Sequence, residues 1–343
     1  MNRQMKVLMC YGKDDFRIEE VPGPPVADDD MLIELIYCGL CGSDIVKIFS
    51  TSPERPAIYG HEVVGKVVEA GDKVTKFIPG DTVVAAHHIP CGKCRFCLHG
   101  NHTMCAMFKK TNIDPGGFCQ YIRLSDKHIQ NTAFLLPEGA DPLEALFVEP
   151  LACCIRAMDR MQYLEGDTVS IVGAGAIGIL FVKLASLAGL ETVVIDLDVE
   201  RLKLARDLGA THILNPAKQD LGTGIRKISP TGLDCAVLTV TNEHTVTDAL
   251  DYVRPGGEIN IFGMGLDQEP IPVDFNRIYK SELTIRSTYS ATPDTLSRAF
   301  SLIVKDRKID VSDLVSEVLP FSEFKKGLDL MLERKIYKAF YSF

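Results

Sequence analysis

The chain has 343 residues, 37 basic and 46 acidic, for a formal charge of −9, a length that accommodates about two ordinary domains. With 46% hydrophobic and 24% charged residues it can bury a sizeable core, while the acidic balance excludes a general nucleic-acid binder or a polybasic membrane-surface protein. The longest uncharged run, residues 168–182, spans 15 residues broken by three glycines, short of the roughly 17–25 apolar residues a membrane helix needs. The apolar run 7–12 is too short for the core of a secretory signal. A soluble, cytoplasmic protein is expected, with no nucleic-acid or membrane partner.

In chain order, the first 150 residues read as short strands with turn punctuation. Residues 5–10 and 31–38 are largely apolar, 63–70 intersperses charge with valine, and Pro79-Gly80-Asp81 marks a turn before 82–86. Pro22-Gly23-Pro24-Pro25, followed by the acidic 28–30, reads as a surface loop. From Gly166 onward the text changes character. Strand-like runs at 168–172, 192–195, 235–240 and 258–262 alternate with helix-like 177–188 and 199–208, which predicts β-α-β units around a parallel sheet. After about residue 283 the pattern turns helical, with 294–305 and 322–334 as amphipathic helices. The expected fold is α/β: a β-rich domain, then a Rossmann doubly wound parallel sheet, then a C-terminal segment that patterning does not assign.

Four of the eleven cysteines fall within fifteen residues, at Cys91, Cys94, Cys97 and Cys105. An odd total without a secretory signal argues against a disulfide framework, so clustered thiols point to metal. Four thiolates suit a closed, structural Zn²⁺ site that staples a lobe lacking its own apolar core. An iron–sulfur cluster uses the same ligands, but this spacing does not match the ferredoxin runs. His99 and His102 inside the lobe read as solvated loop residues.

A second constellation is spread along the chain. Gly39-Leu40-Cys41-Gly42-Ser43-Asp44 and Gly60-His61-Glu62 set metal-ligating types beside glycines, and Glu149-Pro150 adds a carboxylate where a helix should begin. One thiolate, one imidazole and one carboxylate would hold a zinc with an open position. Spacing does not show that they converge. Read singly, Cys41 is a small buried hydrophobe, His61 a structural histidine and Glu62 a solvated charge.

Residues 169–172 run as a strand into Gly173-Ala174-Gly175-Ala176-Ile177-Gly178 and then a helix. This is the G-x-G-x-x-G turn that brings a pyrophosphate onto helix N–H groups. Asp196, eighteen residues after Gly178, stands where a carboxylate accepts ribose hydroxyls. Asp196 and Asp198 would repel a 2′-phosphate, and 196–200 offers no arginine to hold one, so NAD is favoured over NADP.

Together these motifs resemble the zinc-dependent medium-chain dehydrogenases over essentially the whole chain. Glu149-Pro150-Leu151-Ala152 and Glu62 are most similar to the polyol branch, which includes sorbitol and threonine 3-dehydrogenases. The resemblance implies a GroES-like catalytic domain at 1–152 and 288–343, with a structural zinc lobe at about 88–110, and an NAD-binding Rossmann domain at 153–287. It implies two zinc ions per subunit. Cys41 and His61 would ligate the catalytic zinc, with Glu62 and Glu149 ligating directly, through water or in alternation. Ser43 would pass the substrate proton toward solvent, and Arg201 would lie beside the adenosine ribose. The implied reaction is hydride transfer between a secondary alcohol (polyol, cyclitol or sugar-derived) and NAD⁺, in a homo-oligomer, tetramer or dimer. Two departures stand out. Val46 replaces the relay histidine found five positions after the zinc cysteine, and Ser290-Ala291 stands where sorbitol dehydrogenase has an Arg-Tyr substrate pair. The run 287–290 is more similar to bacterial members acting on cyclitols, amino-cyclitols or sugar acids. Alternatives are a simple aliphatic secondary alcohol dehydrogenase, a threonine-type enzyme, a zinc-free reductase, and a non-catalytic NAD- or zinc-binding sensor.

Overall fold

The apolar stretch Met31–Gly39 and the valine-rich Glu62–Ala70 pair antiparallel, with Val67 opposite Ile33 and Val63 opposite Cys38. All four side chains are buried, as expected for β-branched and apolar residues at the centre of a sheet. In the computed structural model, which describes residues 3–50, 55–263 and 270–343, these two strands are the middle of a seven-stranded sheet. Its order is Glu317–Pro320, Ala339–Ser342, Met31–Gly39, Glu62–Ala70, Thr82–Ala85 and Ala133–Leu135, with Tyr121–Leu124 also paired to Met31–Gly39. A hairpin of Gln4–Gly12 and Asp15–Pro22 joins by bridges at Val7–Cys119 and Cys10–Ala57. These strands lie in one compact unit, Met1–Ala152 with Ala291–Phe343.

The second unit, Cys153–Ser290, holds six parallel strands. In chain order they are Thr168–Val172, Glu191–Ile195, His212–Leu214, Leu233–Leu238, Val253–Ile261 and Thr284–Ser287. Across the sheet they run third, second, first, fourth, fifth, sixth. This is the doubly wound dinucleotide-binding order, with its topological switch beside the first strand. The helix Ala176–Leu187, which follows the first strand, buries Ile179, Leu180, Phe181, Val182 and Leu184. Most of its surface is apolar, and within it only Ser186 and Leu187, at its end, are exposed.

The strands expected at 5–10, 31–38, 63–70, 82–86, 168–172, 192–195, 235–240 and 258–262 are all present to within a few residues. The expectation of helix after residue 283 needs correction. Thr284–Ser287 is the sixth parallel strand, and Glu317–Pro320 and Ala339–Ser342 return to the first sheet. Thr284–Ser287 is an edge strand with three of its four residues exposed, so it carries no alternating apolar pattern to read. Pro293–Phe300 is helical and continues as a π turn over Ser301–Lys305, and Phe324–Leu332 follows a 3₁₀ turn. Not expected were the helix Gly42–Phe49 and the short strands Asp15–Pro22, Tyr121–Leu124, Ala133–Leu135 and His212–Leu214. No helix of the described residues is long and apolar enough to cross a membrane.

The C-terminal strand is held by an aromatic cluster. Tyr341 is fully buried, its ring 4.9 Å from Phe324 and 5.5 Å from Phe321, and its hydroxyl donates to the Phe324 carbonyl at 3.0 Å. Truncating it removes the ring contacts and leaves a cavity. Tyr341→Ala should cost about 3–5 kcal/mol in urea unfolding; a loss below about 1 kcal/mol would show that this cluster does not anchor the C-terminal strand.

Candidate functional site

Cys41 sits at the N-cap of the helix Gly42–Phe49. One turn on, Asp44 reaches back and accepts a hydrogen bond from the Cys41 N–H at 3.2 Å, fixing the helix start. The same carboxylate accepts from the Gly60 N–H at 3.3 Å and lies 3.2 Å from His61 Nδ1. Asp44 therefore joins two segments sixteen residues apart and sets the His61 ring, leaving the other ring nitrogen for a metal. Sequence reading gave Asp44 no role, although its position three residues after an N-cap was the available signal.

The ligand atoms of Cys41, His61 and Glu62 all lie within 4.8 Å of one another. His61 and Glu62 are buried and Asp44 is completely so. Burial opposes the charged form of His61, but the Asp44 carboxylate outweighs it and raises the imidazole well above its ordinary value. Burial likewise opposes ionisation of Asp44, and the paired His61 holds it low. Two further imidazoles adjoin the cluster: the His87 ring is 4.5 Å from His61 and 3.8 Å from His88. Burial pushes His88 down to about 4 and His87 well below the usual histidine range. Both stay neutral and add no cation beside the ligand set.

Lys338, which sequence reading missed, is the counterion of Glu62. Its Nζ lies 2.7 Å from Oε1 and 2.6 Å from Oε2, and both side chains are buried. Burial pulls the ammonium down, yet Glu62 more than offsets this and its value is raised. Gly39 makes the room: a Cβ there would stand 2.2 Å from Glu62 Oε2 and 3.0 Å from Lys338 Cε. Glu149, buried at the start of the helix Val148–Arg160, lines a narrow pocket with Glu62, Ala85 and Phe134 but lies outside the 4.8 Å set. Ser43 is exposed on the first turn of its helix.

The four lobe cysteines form a second set with ligand atoms within 4.8 Å. Cys94 Sγ lies 3.6 Å and Cys91 Sγ 4.0 Å from Cys97 Sγ. These separations bracket the edge of about 3.8 Å expected of a tetrahedron with metal–sulfur bonds of about 2.3 Å. Backbone N–H groups of Lys93 and Cys94 lower the Cys91 thiol. Cys105 is brought down to about 6, because N–H groups of Cys91 and Phe108 prevail over burial. The lobe's own apolar cluster is small, Cys97, Cys105 and Phe108 with Cys91, Cys94 and Met107 packed against it. A metal staple suits such a lobe. The donor chemistry and spacing of both sets fit zinc.

In the second unit, Gly173–Gly178 turns from the first strand into the helix Ala176–Leu187. A Cβ at Gly178 would stand 1.9 Å from the Gly173 carbonyl, so only glycine closes this turn. Gly175 is the N-cap, and no side chain caps the helix's first N–H groups, which leaves them for an anion. Asp196 accepts from the Ala174 N–H at 2.7 Å and from the Asp198 N–H at 2.8 Å, tying the end of the second strand to the glycine turn. Asp198 caps the helix Val199–Asp207 by accepting from Glu200 and Arg201 N–H groups. Its carboxylate thus has a local structural task that sequence reading did not foresee. The Arg201 guanidinium lies 3.5 Å from where a Gly175 Cβ would be.

The chain belongs to the zinc-dependent alcohol dehydrogenase family. The family model "Alcohol dehydrogenase GroES-like domain" matches residues 27–134, and "Zinc-binding dehydrogenase" matches 176–305. Among curated proteins it is 30% identical to sorbitol dehydrogenase of Bacillus subtilis, over 97% of this chain and 95% of that one. It is 28% identical to L-threonine 3-dehydrogenase of Caldanaerobacter subterraneus, over 97% of each. A zinc-binding dehydrogenase from Sinorhizobium meliloti, solved bound to NADP, superposes with a TM-score of 0.86 at 28% identity, covering 99% of both chains.

Removing one partner of a buried ion pair strands the other charge. Lys338→Met should therefore lower the stability of the zinc-free protein by about 3–5 kcal/mol, and added zinc should recover much of that by compensating Glu62. Denaturation with and without a chelator reads both. An equal deficit in the two states would show that Glu62 does not face the metal.

Proposed function

We propose that this protein oxidises secondary alcohols of the polyol, cyclitol or sugar-derived class with NAD⁺, yielding the ketone, NADH and a proton. The observation that carries this reading is the convergence of one thiolate, one imidazole and one carboxylate within 4.8 Å, separate from the four-thiolate lobe. A three-residue ligand set leaves a position for substrate, and a four-thiolate set does not. In this reading the first compact unit is the catalytic domain and the second, Cys153–Ser290, is the NAD-binding domain, three residues longer than the expected 153–287. Cys41 and His61, with Glu62 or Glu149, hold the catalytic zinc; Cys91, Cys94, Cys97 and Cys105 hold the structural one. When bound, zinc polarises the substrate oxygen and NAD⁺ accepts the carbinol hydride.

The chain's own groups do the positioning. Asp44 orients His61, and Lys338 holds Glu62 within the ligand set. Ser43, exposed one turn before the position of Val46, takes the hydroxyl proton toward solvent in place of a relay histidine. The uncapped helix start at Gly175–Gly178 receives the pyrophosphate, Asp196 the adenosine ribose hydroxyls, and Arg201 stands beside it. The charge on Asp196 disfavours a 2′-phosphate, which supports NAD over NADP.

We also assign the protein to a homo-oligomer, tetramer or dimer, in the cytoplasm. Support for the oligomer is the exposed edge strand Thr284–Ser287, with Phe275 and Tyr279 77% and 83% exposed nearby in sequence. An unpaired edge beside large apolar side chains is a surface that another copy can cover. None of the eleven cysteines is disulfide-bonded, in keeping with a reducing compartment.

Incubating the zinc-loaded protein with NAD⁺ and inositols, sugar alcohols, 2-butanol or L-threonine, while following NADH absorbance, tests the reaction and its class. A polyol or cyclitol should give the highest kcat/KM. A higher value for 2-butanol or threonine would overturn the substrate class, and no turnover with any would overturn the enzyme. His61→Ala should abolish turnover and leave one zinc per chain, whereas Cys97→Ala should lose the other zinc and lower stability. Asp196→Ala should weaken NAD⁺ by about 1.5–3 kcal/mol and narrow the preference over NADP⁺; wild type preferring NADP⁺ would refute the role given to Asp196.

A further inference from the structure

Arg156 is 6% exposed within the helix Val148–Arg160, and no carboxylate of the described residues pairs with it. Its Nη1 instead donates to the Tyr289 carbonyl at 2.7 Å and the Ser290 carbonyl at 3.3 Å. Burial, reinforced by Arg160, pulls the guanidinium down to about 10, so it remains charged at neutral pH. Ser290 adopts φ +63°, the left-handed region that a non-glycine residue enters only when its surroundings hold it there. The preceding residue but one is fixed too: the Thr288 N–H donates to the Ile261 carbonyl, and Thr288 Oγ1 accepts from Asn260 Nδ2 at 3.2 Å.

The place of this segment in the sheet gives the clamp a meaning. Thr288–Ser290 follows the carboxyl end of the sixth parallel strand, and ligands of open doubly wound sheets lie outside the carboxyl ends of the strands. Asp196 ends the second strand and the glycine turn ends the first. With the adenosine ribose at the second strand and the pyrophosphate at the first, the rest of a dinucleotide must extend over the fourth, fifth and sixth strands, the last about three strand spacings, or about 14 Å, from the first. Thr288–Ser290 is then a rim of the nicotinamide half. Ser290 is also the last residue of its compact unit, and Arg156 stands three residues after that unit's first, Cys153.

We propose that Arg156 is a positioning residue for the nicotinamide half of the cofactor site: its Nη1 bonds the Tyr289 and Ser290 carbonyls and holds Ser290 in the left-handed conformation that shapes this rim. The proposal rests on the NAD-dependent reading above. Both bonds come from Nη1, whose two hydrogens are fixed in the guanidinium plane and so set the directions in which the two carbonyls are held, whereas the donors of a lysine ammonium rotate.

Titration of the zinc-loaded protein with NADH and, separately, with ADP tests it. Both ligands use the glycine turn and Asp196, but only NADH reaches the Thr288–Ser290 rim. Arg156→Met should weaken NADH about tenfold while ADP affinity stays within twofold of wild type. Adding Ser290→Gly, which takes the left-handed conformation without strain, should recover most of the NADH loss. Arg156→Lys should show the same selective weakening to a smaller degree, and it serves alone if the methionine variant does not fold. Unchanged NADH affinity, an equal loss for ADP, or no recovery with Ser290→Gly would each overturn the clamp. A wild-type protein that binds neither NADH nor ADP would instead overturn the NAD-dependent reading, and the clamp with it.

Discussion

The first unit is organised around a buried pairing of opposite charges. Asp44, His61, Glu62 and Lys338 are each withdrawn from water, and each lies within 3.2 Å of a partner of opposite sign. Isolated, any one of them would carry a desolvation cost of several kcal/mol. Paired, they are tolerated only at a geometry that fixes four separate segments: the start of the Gly42–Phe49 helix, the Gly60 turn, the first residue of the Glu62–Ala70 strand, and the chain just before the Ala339–Ser342 strand. The seven-stranded sheet brings these segments together. Met31–Gly39 pairs with both Glu62–Ala70 and Ala339–Ser342, and Gly39 opens the space in which Glu62 meets Lys338.

This pairing also explains how a metal-binding set can exist before metal arrives. The Glu62 carboxylate is buried among the ligand atoms, and Lys338 supplies its counter-charge. A divalent cation would meet ligand atoms of Cys41, His61 and Glu62 already within 4.8 Å of one another. The lobe solves the same problem with different means: backbone N–H groups aimed at Cys91 and Cys105 sulfurs favour the thiolate without any side-chain cation.

Much of this was legible in the sequence, for identifiable reasons. Lobe cysteines fall within one short excursion, so spacing alone brings them together. The glycine turn was readable because Gly178 has a steric reason at a fixed offset from Gly173. The strand pattern failed where burial stopped alternating: Thr284–Ser287, at the sheet edge, has no apolar face to announce it. Lys338 was invisible for another reason. Its partner is 276 residues away, and a lysine near a C-terminus reads as solvated unless the topology is known. Asp44 lay inside a motif already singled out, yet its work is done through His61 and the backbone, and spacing does not report which atoms a carboxylate meets. Arg156 shares that difficulty, since its acceptors are carbonyls 133 and 134 residues on.

The central claim is that two chemically different zinc sites coexist, one closed by sulfur and one open with mixed ligands. Zinc K-edge X-ray absorption, with metal analysis, on the zinc-loaded protein tests it most directly. Sulfur scatterers at about 2.3 Å should be accompanied by nitrogen or oxygen scatterers at about 2.0–2.1 Å, and His61→Ala should remove most of the lighter shell while leaving the sulfur shell of the lobe. A single zinc per chain with an all-sulfur shell, unchanged by His61→Ala, would contradict the account.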